Sequence, residues 1–150
     1  MAASIKSCDE IAMGTLHHSA ASIGFYGDDL DPAEITAALG AEPTVGVAKG
    51  GEWKTTSGAA KEAASGSWRI EAERCERGDL DGQINGLLDG LSNDLVAWRS
   101  FSQRHRGRAF CGLFLNSGNE SLTLQPETLL RLGERGLLID LDIYGSDQAE

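Results

Sequence analysis

The sequence predicts a single α+β domain in which a mixed, mostly antiparallel sheet has its helices packed on one face, in ferredoxin-like style. Three observations predict this fold. Stretches of strand length alternate apolar with polar residues, two short segments begin with proline and end with glycine as helices do, and residues 79–105 repeat apolar side chains at helical spacing. The predicted order of elements is β-α-β-β-α-β-β-α-β, and the 150 residues fit one domain.

The first predicted strand and helix occupy residues 21–40. Apolar residues alternate with smaller or polar ones over residues 21–25, as in a half-buried strand, which stops at Gly27-Asp28-Asp29. The sequence Asp31-Pro32-Ala33-Glu34 then combines a capping carboxylate, a proline at the first helical position and a glutamate at capping-box spacing. Gly40 is expected to end the helix.

The next segment is predicted to contain two strands separated by loops. Residues 44–48 are interpreted as a second strand. Lys49-Gly50-Gly51-Glu52 is interpreted as a flexible turn, because its order of glycine and lysine does not match a phosphate-binding loop. Residues 55–67 are rich in Ser, Ala, Gly and Lys, which favours a mobile loop. Alternation over residues 68–73 predicts a third strand with one solvated face.

The longest predicted element is one continuous helix from about Asp79 to about His105. Its apolar residues recur at spacings of three and four and fall on one side of a helix: Leu80, Ile84, Leu87, Leu88, Leu91, Leu95, Trp98 and Phe101. Glycines recur at every fourth residue in the same region: Gly78, Gly82, Gly86 and Gly90. This repeat either forms a groove for a partner or a second copy, or belongs to a helix that begins later.

The C-terminal third is predicted to form strand, turn, strand, helix and strand. Apolar residues of both parities over 109–115 indicate a central strand that is at least partly covered on both faces. Residues 116–119 have the composition of a hairpin turn into a strand at 121–124. A short helix is expected at 126–136, and alternation over 137–144 predicts the last strand.

Charge and hydropathy exclude several classes of protein. The chain has 13 Lys+Arg and 23 Asp+Glu, a formal net charge of −10, which opposes general binding to nucleic acid or to anionic membranes and suits a basic protein partner. No apolar stretch is long enough to span a membrane, and residues 1–16 lack the apolar region of a secretory signal. We expect a cytoplasmic protein with a flexible segment at 1–18, one domain at 19–145 and a tail at 146–150.

Few residues form a pattern typical of catalysis or metal binding. The three cysteines have neither the spacing of a zinc site nor that of a disulfide framework, so reduced thiols are expected. The three histidines have no patterned carboxylate or cysteine partner, and no set of nucleophile, base and oxyanion donors can be assembled. The sequence therefore predicts no cofactor, no metal and no catalytic residues.

The candidate binding residues of the N-terminal half are acidic residues, one lysine and two tryptophans. Asp28, Asp29 and Asp31 lie between a strand and a helix, where carboxylates either bind a hard cation or cap the helix in a solvated turn. Lys49 and Trp53 belong to a glycine-rich loop, in which the indole is either a binding anchor or packed against the sheet edge. Trp68 of the third strand is a further candidate.

The last strand and the end of the long helix supply the other charged candidates. Asp140 and Asp142 point to the same strand face and lie about 7 Å apart. A carboxylate pair at that distance could provide acid–base catalysis on a sugar, but two residues of one strand cannot easily flank a substrate from opposite sides. They are either solvated or, together with Tyr144, an acidic patch for a basic partner. The end of the long helix carries a basic patch, which either complements the negative C terminus of that helix or binds an anion. The patch consists of Arg99, Arg104, His105, Arg106 and Arg108.

Several of these segments together resemble the DUF4279 family of uncharacterised bacterial proteins. The main matching segments are Phe25-x-Gly27-Asp28-Asp29-Leu30-Asp31-Pro32-x-Glu34-Ile35-Thr36, Leu39-Gly40-x-Glu42-Pro43-Thr44 and Leu138-Ile139-Asp140-Leu141-Asp142-Ile143-Tyr144. Lys49-Gly50, Trp68 to Glu71 and Leu80-x-x-Gln83-Ile84 also fit, so the resemblance covers about residues 20–145. It implies no established activity and no catalytic set. Small bacterial families of this kind sometimes include immunity proteins, which neutralise a toxin.

The sequence therefore predicts a non-catalytic protein-interaction module, immunity-like in that its acidic surface would face a basic partner. Two alternatives stay open. One is a small-molecule-binding protein or hydrolase with a site between the Asp28–Asp31 turn and Trp53. The other is a domain that associates with itself through the glycine-flanked helix.

Overall fold

The computed structural model describes residues 15–146. Most of the predicted N-terminal segment (1–18) and of the predicted tail (146–150) lies outside the described residues. Within the described part, Thr15 forms a β-bridge with Ser121, and His18 begins the first strand.

The described part of the chain forms four helices and seven strands. In chain order they are β1 (His18–Gly27), α1 (Pro32–Leu39), β2 (Val45–Val47), β3 (Glu52–Lys54), β4 (Ala60–Glu62), β5 (Gly66–Glu71), α2 (Leu80–Asp89), α3 (Leu95–Arg104), β6 (Arg106–Phe114), α4 (Pro126–Glu134) and β7 (Leu138–Tyr144). Five strands form one sheet in the order β2-β5-β1-β6-β7, and β3 and β4 form a separate hairpin. Only β6 and β7 are parallel in the large sheet. The predicted α+β class with a mixed, mostly antiparallel sheet is confirmed.

One apolar cluster joins the sheet to all four helices. Ala21, Ile23 and Phe25 point to the same side of β1 and are at most 5% exposed. The helices contribute the following residues to this cluster: Ile35 and Leu39 from α1, Ile84 and Leu88 from α2, Trp98 and Phe101 from α3, and Leu132 from α4. The helices therefore lie on one face of the sheet, and the even-numbered residues of β1 point to the opposite face, which is called the outer face below.

The predicted start and end of α1 are confirmed. The Asp31 carboxylate accepts a hydrogen bond from the Ala33 N–H at 3.1 Å, and Pro32 occupies the first turn. Gly40 follows the helix with φ = 80°, a left-handed conformation that glycine adopts without strain. Local sequence therefore determines where this helix begins and ends.

The predicted continuous helix over 79–105 is wrong, because the structure contains two helices, α2 and α3, with a break at residues 90–94. Gly90 ends α2, and the Asp94 carboxylate accepts hydrogen bonds from the N–H groups of Val96 and Ala97 at 3.1 and 3.2 Å. This N-cap starts a new helix. Both helices direct their apolar residues into the same core, so the periodic pattern continues across the break.

Two further segments differ from the predicted order. The predicted strand at 121–124 is wrong: Ser121 forms an isolated bridge, and no named strand includes these residues. The predicted loop at 55–67 contains β4 and the start of β5. β4 pairs with β3 across a turn in which Gly58 has φ = 87°. The segment therefore forms a hairpin, although its composition is typical of a loop.

The glycine repeat does not form a continuous groove on a helix. Gly78 precedes α2 and lies against Leu16, Gly90 follows α2, and only Gly82 and Gly86 lie within it. The Asp79 carboxylate caps α2 by accepting from the Gly82 N–H at 3.1 Å and fills the space where a Gly82 side chain would begin. The structure therefore supports a helix start at Leu80 with a glycine in its first turn.

We expect Gly86→Ala to raise the free energy of unfolding by about 0.5–1 kcal/mol. Gly86 is exposed in the middle of α2, and a methyl group there would meet no atom within 4 Å. The matched control is Gly82→Ala, which should give no such gain because its methyl group collides with the Asp79 carboxylate. Urea unfolding of both variants measures the difference, and equal stability changes would contradict this account of the repeat.

One of the two described cysteines, Cys75, departs from the predicted reduced state. Cys75 is disulfide-bonded, whereas Cys111 is a free, buried thiol whose pKa is raised to about 12 by burial. Disulfides are rare in reducing compartments, so Cys75 does not favour a cytoplasmic location, which stays a prediction. No helix among residues 15–146 is long and apolar enough to cross a membrane.

Candidate functional site

The outer face of the sheet is built by the alternate residues of β1, β6 and β7. The strand register places Tyr26 opposite Arg106, Ser22 opposite Phe110, and Phe110 beside Asp140. Side chains of paired residues point to the same side of a sheet. Charged and aromatic residues from three strands therefore meet on the face opposite the helices.

Arg108 is at the centre of a cluster on this outer face. Its guanidinium lies 4.7 Å from the centre of the Tyr26 ring and 4.9 Å from that of Phe110, distances typical of cation–π contacts. It also donates to Asp140 Oδ2 at 2.7 Å, and Arg106 donates to the same oxygen at 3.2 Å. The hydrogen bond from Arg108, together with the two positive charges, lowers the pKa of Asp140. Two guanidiniums thus share one carboxylate.

Asp142 lies two residues further along β7 and has a different environment. Its carboxylate accepts from the Tyr144 hydroxyl at 2.6 Å, which raises the pKa of Tyr144. The Tyr144 ring stacks on Phe114 at 4.7 Å between ring centres. No Lys or Arg within residues 15–146 forms an ion pair with Asp142. The predicted acidic patch is therefore asymmetric, because Asp140 is neutralised by two cations and Asp142 by none.

Strand β7 forms one edge of the sheet and exposes apolar side chains on both of its faces. Four of the seven exposed large apolar side chains in the described part of the chain belong to β7: Leu138, Leu141, Ile143 and Tyr144. Leu141 and Ile143 point to the helix side of the sheet, yet they are 52% and 58% exposed. The helical layer therefore covers Ile139 in part but does not cover the C-terminal half of this strand.

Within residues 15–146, β6 is the only strand that pairs with β7, so the other backbone edge of β7 has no strand partner there. The Tyr144 carbonyl accepts from the Leu115 N–H at 3.0 Å, so it points towards β6. Because the N–H and C=O of one strand residue point the same way and alternate along the strand, Ile139, Leu141 and Ile143 direct theirs away from the sheet. At the C-terminal end of β7, a cavity of about 610 Å³ is lined by Phe114, Leu115, Asn116, Ile143, Tyr144, Gly145 and Ser146.

The acidic turn after β1 is a capped and exposed turn. Asp31 caps α1, Asp29 is exposed, and Asp28 forms an ion pair with Lys49 at 3.3 Å in which both side chains are more than half exposed. Trp53 is half-buried on β3, opposite Lys61. No group of three potential ligands for a metal ion occurs among the residues that the structure describes. The contact of Asp28 with Lys49 brings two predicted binding residues together at the surface.

Trp68 lies in the core and is not available to a surface ligand. Its side chain has no exposed area, and its indole N–H donates to the Thr36 hydroxyl at 3.0 Å. This hydrogen bond attaches β5 to α1. The alternation that marks Trp68 as a strand residue does not distinguish its buried face from its exposed face, so the sequence left it among the binding candidates.

The predicted basic patch is divided between the two sides of the sheet. Arg104, in the last turn of α3, pairs with Glu34 of α1 at 2.9 Å, whereas Arg106 and Arg108 are on the outer face. Arg99 donates to the Glu134 carbonyl at 2.6 Å. Sequence reasoning treated these residues as one patch and missed the contacts of Arg108 with Tyr26 and Phe110. Residues 106–110 alternate in the pattern of a strand, and this signal could have separated Arg106 and Arg108 from the arginines of the helix.

His105 is a buried imidazole between α3 and β6. It is 6% exposed, and neither ring nitrogen has a hydrogen-bond partner. Burial lowers the pKa of His105, the charge of Arg104 lowers it further, and Glu34 and Asp29 oppose these effects. The lowered pKa favours the neutral ring in the folded protein at neutral pH.

We expect the protein to lose stability as the pH falls from 7.5 to 5.5. The pKa of His105 is lowered from 6.5 in the folded state, so the unfolded chain binds the proton more readily. The stability gained from the neutral ring is complete above pH 6.5 and is lost below it. Urea unfolding at both pH values should show that His105→Phe loses less stability than the wild type. The loss that remains is expected from His18, whose pKa is also lowered by burial. An equal loss in the variant would exclude His105 as a source.

Comparison with known proteins identifies a family without an assigned activity. No curated protein and no solved structure matches the chain. The family model DUF4279, described as a domain of unknown function, matches residues 15–146, the same range that the structure describes. The resemblance noted from the sequence is thus confirmed, and the chain belongs to the DUF4279 family.

Proposed function

We propose that this protein is a non-catalytic protein-interaction module that binds through the open edge of β7. One observation carries the proposal: more than half of the exposed large apolar side chains of the described residues lie on this single edge strand. A long edge strand with apolar side chains and unpaired backbone groups is a template for pairing with another strand. Exposed apolar patches also mark interaction sites on proteins.

Charge supports a partner with a basic surface. The formal net charge is −10, and Asp28 and Asp29 are both exposed in the turn after β1. An acidic surface increases the rate of association with a basic protein, and salt weakens that attraction. An immunity-like role, in which such a partner is a toxin, is part of this proposal.

The test is capture of proteins from the native host with three baits. The wild-type protein should retain a specific protein, whether this chain or another one, and Leu141→Lys should not, because a charge then replaces the central apolar side chain of the edge. Val96→Lys is the matched control, since Val96 is 81% exposed on α3 and lies outside β7. Equal capture by wild type and Leu141→Lys would refute the proposal.

The contribution of the acidic turn is tested separately. Asp28→Asn combined with Asp29→Asn removes two charges and preserves the cap made by Asp31. We expect captured basic proteins to be released at lower salt from this variant than from the wild type. An unchanged salt dependence would remove the acidic turn from the binding surface and leave the β7 edge to be judged by its own test.

A further inference from the structure

We infer that the outer face of the sheet has a binding site for a guanidinium group at the C-terminal end of β7, and that its ligand is an arginine side chain of a basic partner protein. The site consists of the Asp142 carboxylate and the Tyr144 ring, with Phe114 of β6 behind the ring. This inference rests on the proposed function, because it names the chemical group through which such a partner would contact β7.

A guanidinium site of the same composition is already filled two residues earlier along β7. The Arg108 guanidinium lies 4.7 Å from the ring centre of Tyr26 and 4.9 Å from that of Phe110. The same group donates to Asp140 Oδ2 at 2.7 Å. One carboxylate and aromatic rings thus hold a planar cation on this face, by a hydrogen bond and by cation–π contacts.

Asp142 has the carboxylate and the rings of such a site but no cation. On β6 it is opposite Gly112, where a side chain would meet the Phe114 ring at 3.2 Å. No Lys or Arg within residues 15–146 forms an ion pair with Asp142. Its Oδ2 accepts from the Tyr144 hydroxyl at 2.6 Å. Since a carboxylate has about four acceptor positions, Asp142 can accept further donors.

The Tyr144 ring has one covered and one open face. It stacks on Phe114 at 4.7 Å between ring centres, with an angle of 3° between the rings. Because β6 is the only described strand beside β7, the second face of the ring points away from the sheet, and Tyr144 is 48% exposed. The face of an aromatic ring attracts cations. A guanidinium can therefore stack on Tyr144 while it donates to Asp142.

Arg74 of this chain does not fill the open face. Its guanidinium lies 5.1 Å from the centre of the Phe114 ring. One face of that ring is covered by Tyr144, so Arg74 lies over the opposite face. The stack therefore has a cation at one end, above Phe114, and none at the other end, above Tyr144.

The end of β7 also has room for the rest of an arginine side chain. The cavity of about 610 Å³ begins at Tyr144 and is bordered by Ile143, Gly145 and Ser146. Its wall includes apolar groups, against which the methylene groups of an arginine can pack. The site thus offers a separate contact to each part of the side chain.

The chemistry of the site favours arginine over other charged groups. The formal net charge of −10 attracts a cationic partner and repels an anionic one. Guanidinium is planar, presents paired donors to a carboxylate and stacks on aromatic rings, whereas the ammonium of lysine is compact and strongly hydrated. A carboxylate beside an open ring face matches the first of these cations.

The first test is an NMR titration of the purified protein with three blocked amino acids. They are the N-acetyl amides of arginine, lysine and citrulline, the last of which has the shape of arginine without its charge. We expect the arginine compound to shift the amide signals of Asp142 and Tyr144. It should bind at least about threefold more tightly than the lysine compound, and the citrulline compound should cause no shift.

The second test uses variants with matched controls. Asp142→Asn removes the charge but keeps an acceptor for the Tyr144 hydroxyl, and it should weaken binding of the arginine compound about fivefold. Glu62→Gln removes the same charge from an exposed position on β4 and should bind like the wild type. Tyr144→Leu should also lose about fivefold, whereas Tyr144→Phe keeps the ring and should stay within about twofold. Circular dichroism should show all four variants folded.

Three results would overturn the inference. They are the absence of shifts at Asp142 and Tyr144 with the arginine compound, equal affinity for the lysine compound, and undiminished affinity in folded Asp142→Asn.

The origin of the guanidinium is tested by capture from the native host, in which Asp142→Asn should retain less of a basic protein than Glu62→Gln does. Equal retention by these two baits, with none by Leu141→Lys, would overturn the inference and leave the proposed function standing. If the site binds the arginine compound but the wild-type bait retains no protein, the proposed function fails, and so does the assignment of the guanidinium to a partner.

Discussion

Trp98→Ala should lower the free energy of unfolding by about 3–5 kcal/mol. Trp98 has no exposed area, and its ring lies 5.8 Å from that of Phe25 in the main cluster. Its indole N–H also donates at 2.7 Å to the carbonyl of Ser92, which lies in the break between α2 and α3. The substitution therefore creates a cavity in the core and removes a hydrogen bond that fixes the break.

The same substitution affects a buried cation. The Arg135 guanidinium lies 5.5 Å from the Trp98 ring centre and donates to the Asn93 side chain at 3.1 Å. Arg135 is only 3% exposed, and burial lowers its pKa. Loss of the indole removes part of the surroundings that stabilise this charge. We therefore expect the loss of unfolding free energy for Trp98→Ala to lie in the upper part of the range of about 3–5 kcal/mol.

Val96→Ala is the matched control in the same helix. Its side chain is exposed, so the change should stay within about 0.5 kcal/mol. Urea unfolding with a common slope measures both variants. A loss below about 1 kcal/mol for Trp98→Ala would contradict the position of the core between α3 and the sheet.

Gly66→Ala should destabilise the fold by about 2–3 kcal/mol. Gly66, the first residue of β5, is opposite Gly27, the last residue of β1. A methyl group would lie 2.6 Å from the Gly27 carbonyl oxygen and 3.1 Å from Leu30 Cβ. The first of these atoms is backbone, so β1 and the turn that carries Asp28 must move apart from β5.

Gly118→Ala controls for the general effect of replacing glycine in a loop. A side chain at Gly118 meets no atom within 4 Å, so stability should change little. For Gly66→Ala, NMR shifts of the Asp28 and Asp29 amides should change together with the loss of stability. Unchanged stability and unchanged shifts would show that β1 and β5 approach less closely at Gly66 than the 2.6 Å distance implies.

Local signals explain which elements were predictable from the sequence. The start of α1 was predictable because Asp31, Pro32 and Gly40 act through contacts with their own neighbours. The break between α2 and α3 had a local signal as well, Gly90 followed by Asp94, but the apolar periodicity across it is continuous. Periodicity reports which side of a helix faces the core, and it does not report whether the helix is unbroken.

The candidate site was less predictable because it depends on strand order and register. Asp140 and Asp142 alternate on one face in the sequence, yet their different environments arise from Arg106 and Arg108 on the neighbouring strand. The exposure of Leu141 likewise follows from the edge position of β7. An alternating strand has the same pattern at the edge of a sheet and in its centre, so only tertiary structure distinguishes the two.

The most direct test of the central claim is amide hydrogen exchange resolved by residue along β7. In dilute protein, the N–H groups of Ile139, Leu141 and Ile143 should exchange rapidly, while those of Asp142 and Tyr144, directed towards β6, exchange slowly. When the protein is bound to a captured partner, the first three should become protected. Slow exchange of all five in dilute protein, or no protection of the three on association, would contradict the account.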